Sequence, residues 1–334
     1  DAGIVVNGTL VVEGNATHKV IFDSLPVVDD AEGAWMGLSF NAGSVGSIDH
    51  ASINNTLETL RVIDSELAVT NTVITNTIKA VNAEFEAGGS LTIDNCIIDA
   101  QSGPGASIAV LLFGFADGEY KNVTAVDIAI TNNVVKSTNS QGLLEISKNV
   151  KAKDNGIATL IGDILVSGNE FNQLSSGDNL ALFIDRVLAE GEGAATIRGN
   201  ITYSDNLAYV VGGDMGGGII FDRSINGRGS SAASLVGDIT ISGNRLNQAS
   251  TASGPIIISS GLGAYDNSTV EVVGEVCLKE NVCEEPVNSM LYYGSGAIAY
   301  DNSKMVVNVP VKVSNNIGYR ILVGRSHHAG ANAS

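Results

Sequence analysis

Leu160-Ile161-Gly162-Asp163-Ile164-Leu165-Val166-Ser167-Gly168-Asn169-Glu170-Phe171-Asn172-Gln173 decides the fold, because it comes back 75 residues later. The second copy reads Leu235-Val236-Gly237-Asp238-Ile239-Thr240-Ile241-Ser242-Gly243-Asn244-Arg245-Leu246-Asn247-Gln248. A weaker copy between them, Gly199-Asn200-Ile201-Thr202-Tyr203-Ser204-Asp205-Asn206, divides the interval into steps of 37 and 38. A repeat of this length is one supersecondary unit stacked on the next. Within Asp238-Ile239-Thr240-Ile241-Ser242 the isoleucines take every second place, which is strand and not helix periodicity.

The alternation closes at an Asn three residues beyond the last inward aliphatic or aromatic side chain. Such asparagines stand at Asn133, Asn169, Asn206, Asn244, Asn281 and Asn316. One coil per repeat would stack them into a ladder at one corner, about 4.8 Å apart. Asn suits such a corner because it tolerates the left-handed backbone and its amide reaches the coils above and below. Two further markers keep the period. Ala264-Tyr265-Asp266-Asn267-Ser268 returns as Ala299-Tyr300-Asp301-Asn302-Ser303, and Phe183-Ile184-Asp185-Arg186 aligns with Ile220-Phe221-Asp222-Arg223. The expectation is an all-β chain: a right-handed parallel β-helix of about ten coils, three short strands to a coil.

The chain reads as one domain over 1–334. Shorter coils occupy 1–105, with His50, Asn71 and Asn95 in equivalent places. Coils of about 35–38 residues fill 106–326, and a polar tail covers 327–334. The added length of the later coils is expected in loops on one side, such as Gln101-Ser102-Gly103-Pro104-Gly105. The opening at Asp1 without a signal peptide predicts a mature chain or a fragment, and neither terminus reads as an amphipathic cap. Uncapped solenoid ends predict neighbours stacked on them: other copies of the chain or attached domains.

Among 334 residues, 44% are hydrophobic and only 5% aromatic, so the core is aliphatic. Gly 39 against Pro 5 suits many tight corners and few broken ladders. No apolar run reaches the ~18 residues of a membrane span. The net charge of −18 repels phosphate backbones and anionic lipid, which argues against nucleic acid as partner.

Chemistry-bearing residues are few. Seven Asn-x-Ser/Thr sequons, at Asn7, Asn15, Asn54, Asn122, Asn200, Asn267 and Asn332, are candidate N-glycosylation sites, with Asn15, Asn122 and Asn267 expected at exposed corners. Asp185 and Asp222, flanked by Arg186 and Arg223, are the nearest approach to the paired carboxylates a glycoside hydrolase needs. Stacked one coil apart, they also read as a salt-bridge ladder on the outer face. His18, His50, His327 and His328 match no triad. Asp29, Asp30 and Glu32 form the one loop that could hold Ca²⁺, and no other cofactor is expected. Gly212 to Gly218 lacks the Lys of a phosphate loop. Alternation turns Cys277 outward and Cys283 inward, so a bridge between them requires the corner to turn Cys277 back.

Gly8-Thr9-Leu10, Val20-Ile21-Phe22 and Trp35-Met36-Gly37-Leu38-Ser39-Phe40 resemble the early coils of secreted right-handed parallel β-helix proteins. Ser-Gly-Asn corners, together with Gly217-Gly218-Ile219-Ile220, are similar to the repeats of polymorphic outer-membrane proteins and related surface passenger domains. The resemblance covers a stalk-like part only, with no transporter barrel following. The resemblance implies the fold and is almost silent on activity; the sequons, the uncapped ends and the lack of a catalytic constellation lead to the expectation of an extracellular, cell-surface, non-enzymatic structural or adhesive glycoprotein, with protomers stacking end to end into a filament or surface layer. The alternative is a polysaccharide lyase or hydrolase, or a tailspike-like polysaccharide binder; the motifs of pectin-acting families are absent.

Overall fold

A computed structural model describes residues 2–24, 34–101, 105–137, 142–173, 179–210, 218–248, 256–284, 291–318 and 321–329. Among these residues every regular element is a strand, and every strand pairs in parallel with its equivalent one coil away. The fold is a parallel β-solenoid.

One coil shows the plan. Ile157–Ile161, Ile164–Ser167, Glu170–Gln173 and the long strand Asn179–Gly191 follow one another around the axis. The next coil repeats them as Ala194–Arg198, Ile201–Ser204, Leu207–Val210 and Ile219–Gly229, in continuous register. The column containing Ile164–Ser167 runs from Thr9–Glu13 to Val311–Ser314, ten strands among the described residues.

The later coils lengthen within the sheets, and of the expected loop at 101–105 residues 102–104 lie outside the described residues. A fourth strand column begins at residues 121–125 and continues through Ile157–Ile161 to Lys304–Asn308. The long strand also grows. Ala106–Asp117 pairs back to Val73–Phe85 only over 108–112, whereas its remainder pairs forward with Gly142–Lys153. Among the described residues the added length therefore extends the sheets.

Alternation packs the core. Ile164, Val166, Tyr203, Ile239 and Ile241 are 2% exposed or less, each such side chain contributing roughly 1.5–3 kcal/mol of burial. Phe183 stacks on Phe221 with ring centroids 4.7 Å apart, and Tyr203 meets Phe183 edge-on and Phe171 in parallel. Burial raises the Tyr203 phenol far above its usual range, and its hydroxyl finds no hydrogen-bond partner.

Three corners carry three ladders. At the first, Asn133, Asn169, Asn206, Asn244 and Asn281 are each 1% exposed or less. Asn169 Nδ2 donates to Ile130 O at 2.8 Å and to Asn206 Oδ1 at 2.9 Å, and its backbone N–H donates to the same Oδ1 at 3.0 Å. The pattern repeats rung by rung up to Asn316. The left-handed residue is not the ladder Asn but the one before it: Asn132, Gly168, Asp205, Gly243, Glu280 and Asn315, with φ from +53° to +67°. His50, Asn71 and Asn95 occupy this left-handed column, so the ladder position in the short coils falls to Ala51, Thr72 and Cys96. The division is physical. The turn needs a backbone tolerance, whereas the buried neighbour needs an amide that can both donate and accept.

The second corner is a glycine column. A Cβ on Gly199 would lie 1.9 Å from Gly162 O, and one on Gly237 would lie 2.0 Å from Gly199 O. No side chain fits where successive backbones approach this closely. The residue after each glycine holds the next coil: Asp163 Oδ1 accepts from Asn200 N at 2.7 Å, and Asn200 Oδ1 from Asp238 N at 3.0 Å. At the third corner Ser231, Ser268 and Ser303 are buried, and each hydroxyl donates to a carbonyl of the preceding coil.

Candidate functional site

The long strands make the broadest outer face of the solenoid, and they contain the one carboxylate pair suggested as a constellation. The expected stacking of Asp185 on Asp222 does not occur. Phe183 lies opposite Phe221, so Asp185 lies opposite Arg223 and Ile184 opposite Asp222. A shift of one residue reverses the facing of every side chain in a strand. Asp185 therefore points into the core and Asp222 points out.

Inside, Lys148, Asp185 and Arg223 form a column across three coils at 2%, 1% and 5% exposure. Asp185 Oδ1 lies 3.1 Å from Lys148 Nζ, and Oδ2 lies 3.3 Å from Arg223 Nε. Neither carboxylate oxygen accepts a hydrogen bond of proper geometry, so the attraction is between charges in a poorly polarisable core. The two carboxylates face opposite sides of one sheet, and no cleft contains both.

Outside, Arg186 Nη2 donates to Asp222 Oδ2 at 2.8 Å, and Ser259 Oγ to Asp222 Oδ1 at 3.2 Å. Beside this pair lies a surface depression of about 280 Å³, lined by Arg186, Val187, Leu188, Ser224, Asn226 and Arg228. Asn226 Nδ2 donates to Ser224 Oγ at 3.1 Å. On the neighbouring coil Lys151 and Lys153 lie 3.4 and 3.9 Å from one carboxylate oxygen of Glu190. Nothing in the residue pattern announced this depression. Its outward side chains, Arg186 and Leu188 on one strand and Ser224, Asn226 and Arg228 on the next, are two apart, but their grouping depends on the pairing offset of 38 between these coils.

The remaining candidates are dispersed. His18 Nδ1 lies 2.9 Å from Thr17 Oγ1 in an exposed turn, and His50 Nδ1 lies 2.9 Å from Asp49 Oδ2. Side-chain hydrogen bonds from Asn71 and Thr70, and then one from His50, hold the Asp49 carboxyl down at about 2. His327 and His328 fall in the last strand, Ile321–Ala329. Cys277 is half-buried in its strand, Cys283 is buried, and no disulfide joins them. The Cys96 thiol, ordinarily near 9, is pushed up to about 11 by burial. Asp29, Asp30, Glu32 and Gly212 to Gly217 lie outside the described residues. Among the described residues no three His, Cys, Asp or Glu side chains are grouped to hold a metal ion, and no helix is long and apolar enough to cross a membrane.

The sequons divide by environment. Asn7, Asn15, Asn200 and Asn267 are exposed, the last with φ +67° at the third corner. Asn122 is not at a corner as expected. It lies half-buried in Lys121–Thr131, and Thr124 of its sequon is fully buried, donating to Glu86 O at 2.6 Å. Asn54 is likewise half-buried, with its Thr56 buried against Thr77. Asn332 lies outside the described residues.

No protein-family model, no curated protein and no solved structure matches the chain.

Proposed function

We propose that the protein is a non-enzymatic structural and adhesive element of an extracellular surface: a rigid rod segment that stacks end to end into a filament or layer. The observation that carries this reading is the run of ladders at three corners of the later coils. They tie each coil to the next by side chain as well as by backbone, and leave a strand paired on one side only at either limit. Thr9–Glu13 pairs with Val45–Asp49 alone, and Val311–Ser314 with Val276–Lys279 alone, among the described residues. Unpaired parallel edges are templates for another edge of the same geometry. The similarity of the Ser-Gly-Asn corners to those of surface passenger domains supports the location, and the exposed Asn7, Asn15, Asn200 and Asn267 supply places for glycans.

A lyase or hydrolase finds less support, since Asp185 and Asp222 face opposite sides of the sheet. The reading is tested by sedimentation velocity and negative-stain electron microscopy of the purified chain over a wide concentration range. Rods that lengthen with concentration, and stop lengthening when Val11→Pro blocks the first edge, are expected. Monodisperse particles one solenoid long at every concentration overturn it.

A further inference from the structure

We propose that the depression on the outer face of the long strands binds an acidic glycan, with Arg228 and Arg186 receiving a carboxylate or sulfate group and Ser224 and Asn226 receiving its hydroxyls. The proposal rests on the adhesive half of the function above and says to what the surface adheres. It does not rest on end-to-end stacking.

The first argument is charge. The chain carries −18 overall, yet Lys151, Lys153, Arg186 and Arg228 gather on neighbouring strands of one face, against Glu190 and Asp222. Both acids are already engaged, Glu190 by the two lysines and Asp222 by Arg186. Glu190 is the cross-strand partner of Arg228, but its carboxylate is drawn towards the preceding coil. Arg228 is exposed and has no carboxylate within ion-pair distance among the described residues. An exposed guanidinium with its planar fork unoccupied is suited to a bidentate oxyanion.

The second argument is the direction of the neutral donors. Ser224 Oγ accepts from Asn226 Nδ2, which leaves the hydroxyl proton available to a guest. Arg186 is held in place by Asp222, so its remaining N–H groups are presented without further ordering.

The third argument is shape. Gly261 has open space where its Cβ would be, and a Cβ on Gly263 would lie 2.6 Å from both Asn226 Oδ1 and Tyr265 Cε2. The sheet is bare at Gly261 beside the depression, while the next outward position, Gly263, is covered by Asn226 and by Tyr265, whose ring stacks on Tyr300 at 6.1 Å. Planar polar groups, a bare floor and an aromatic edge suit a pyranose ring, and the arginines select its charge.

Binding is measured by isothermal calorimetry on the full chain with tetragalacturonate, a heparan-type sulfated tetrasaccharide and maltotetraose. Saturable binding of one or both acidic probes is expected, and their ratio separates carboxylate from sulfate. Maltotetraose should bind at least about tenfold more weakly, and Arg228→Gln should lose about tenfold towards the acidic probe, the scale of one charge-assisted hydrogen bond. Lys19→Gln, an exposed cation on the first coil, should change nothing. No binding of either acidic probe, an unchanged affinity in Arg228→Gln, or an equal loss in Lys19→Gln overturns the proposal. Rod formation without glycan binding overturns this inference alone; glycan binding by strictly monomeric protein overturns the stacking alone.

Discussion

A single amide at the first corner serves three coils. Asn206 Oδ1 accepts from Asn169 N and Nδ2, while its own Nδ2 donates to Val166 O and Asn244 Oδ1. Asn206→Ala strands two buried donors and a buried carbonyl, and each such group costs about 1–3 kcal/mol. A loss of roughly 3 kcal/mol or more in urea denaturation is expected, with faster hydrogen exchange at the Asn169 amide. Asp49 behaves differently because it lies near solvent. Its carboxyl is held at about 2 by Asn71, Thr70 and His50, below the ordinary 3.8. A depressed folded value means that the stabilisation is complete above 3.8 and is lost as pH falls towards and through 2. Titration of the Asp49 carboxyl carbon by NMR should show a midpoint near 2, returning towards 3.8 in Asn71→Ala.

At the scale of the element, the long strand Asn179–Gly191 is held by aromatic stacking and crossed by a buried charge column. Asp185→Ala leaves two buried cations facing each other and should cost about 3–5 kcal/mol. Replacing all three members, Lys148→Leu with Asp185→Leu and Arg223→Met, should restore wild-type stability or exceed it, read as the urea midpoint. This column also marks where sequence reading stops. Alternation and corner spacing made the solenoid legible, because an inward Ile and a recurring Asn report burial and period directly. Matching Phe-Ile-Asp-Arg to Ile-Phe-Asp-Arg, however, aligned letters at an offset of 37. The structure pairs Phe183 with Phe221, because two rings stacking in the core outweigh two shared letters. The outer depression was illegible for the same reason: its members meet only under that pairing. The glycine column lay in plain view at Gly162, Gly199, Gly237 and Gly274, but a backbone contact between coils leaves no periodicity of side chains to read.

For the whole molecule, the ten-strand column sets a length of roughly 45 Å at about 4.8 Å per coil, with the first and last coils at opposite ends. Ladder partners are 35 to 38 residues apart throughout the later coils. Such near-uniformity bears on how the rod answers tension. A tether drawn from both termini loads every inter-coil bond along its own direction, so the coils peel singly from a free end. Optical-trap extension should trace a sawtooth in which each later coil releases about 12 nm of contour and the two shorter coils from Val45 to Ser90 about 7–8 nm each, at ~3.4 Å per residue. A rod made this way gives ground in small instalments, and the tension across it stays nearly constant as it lengthens.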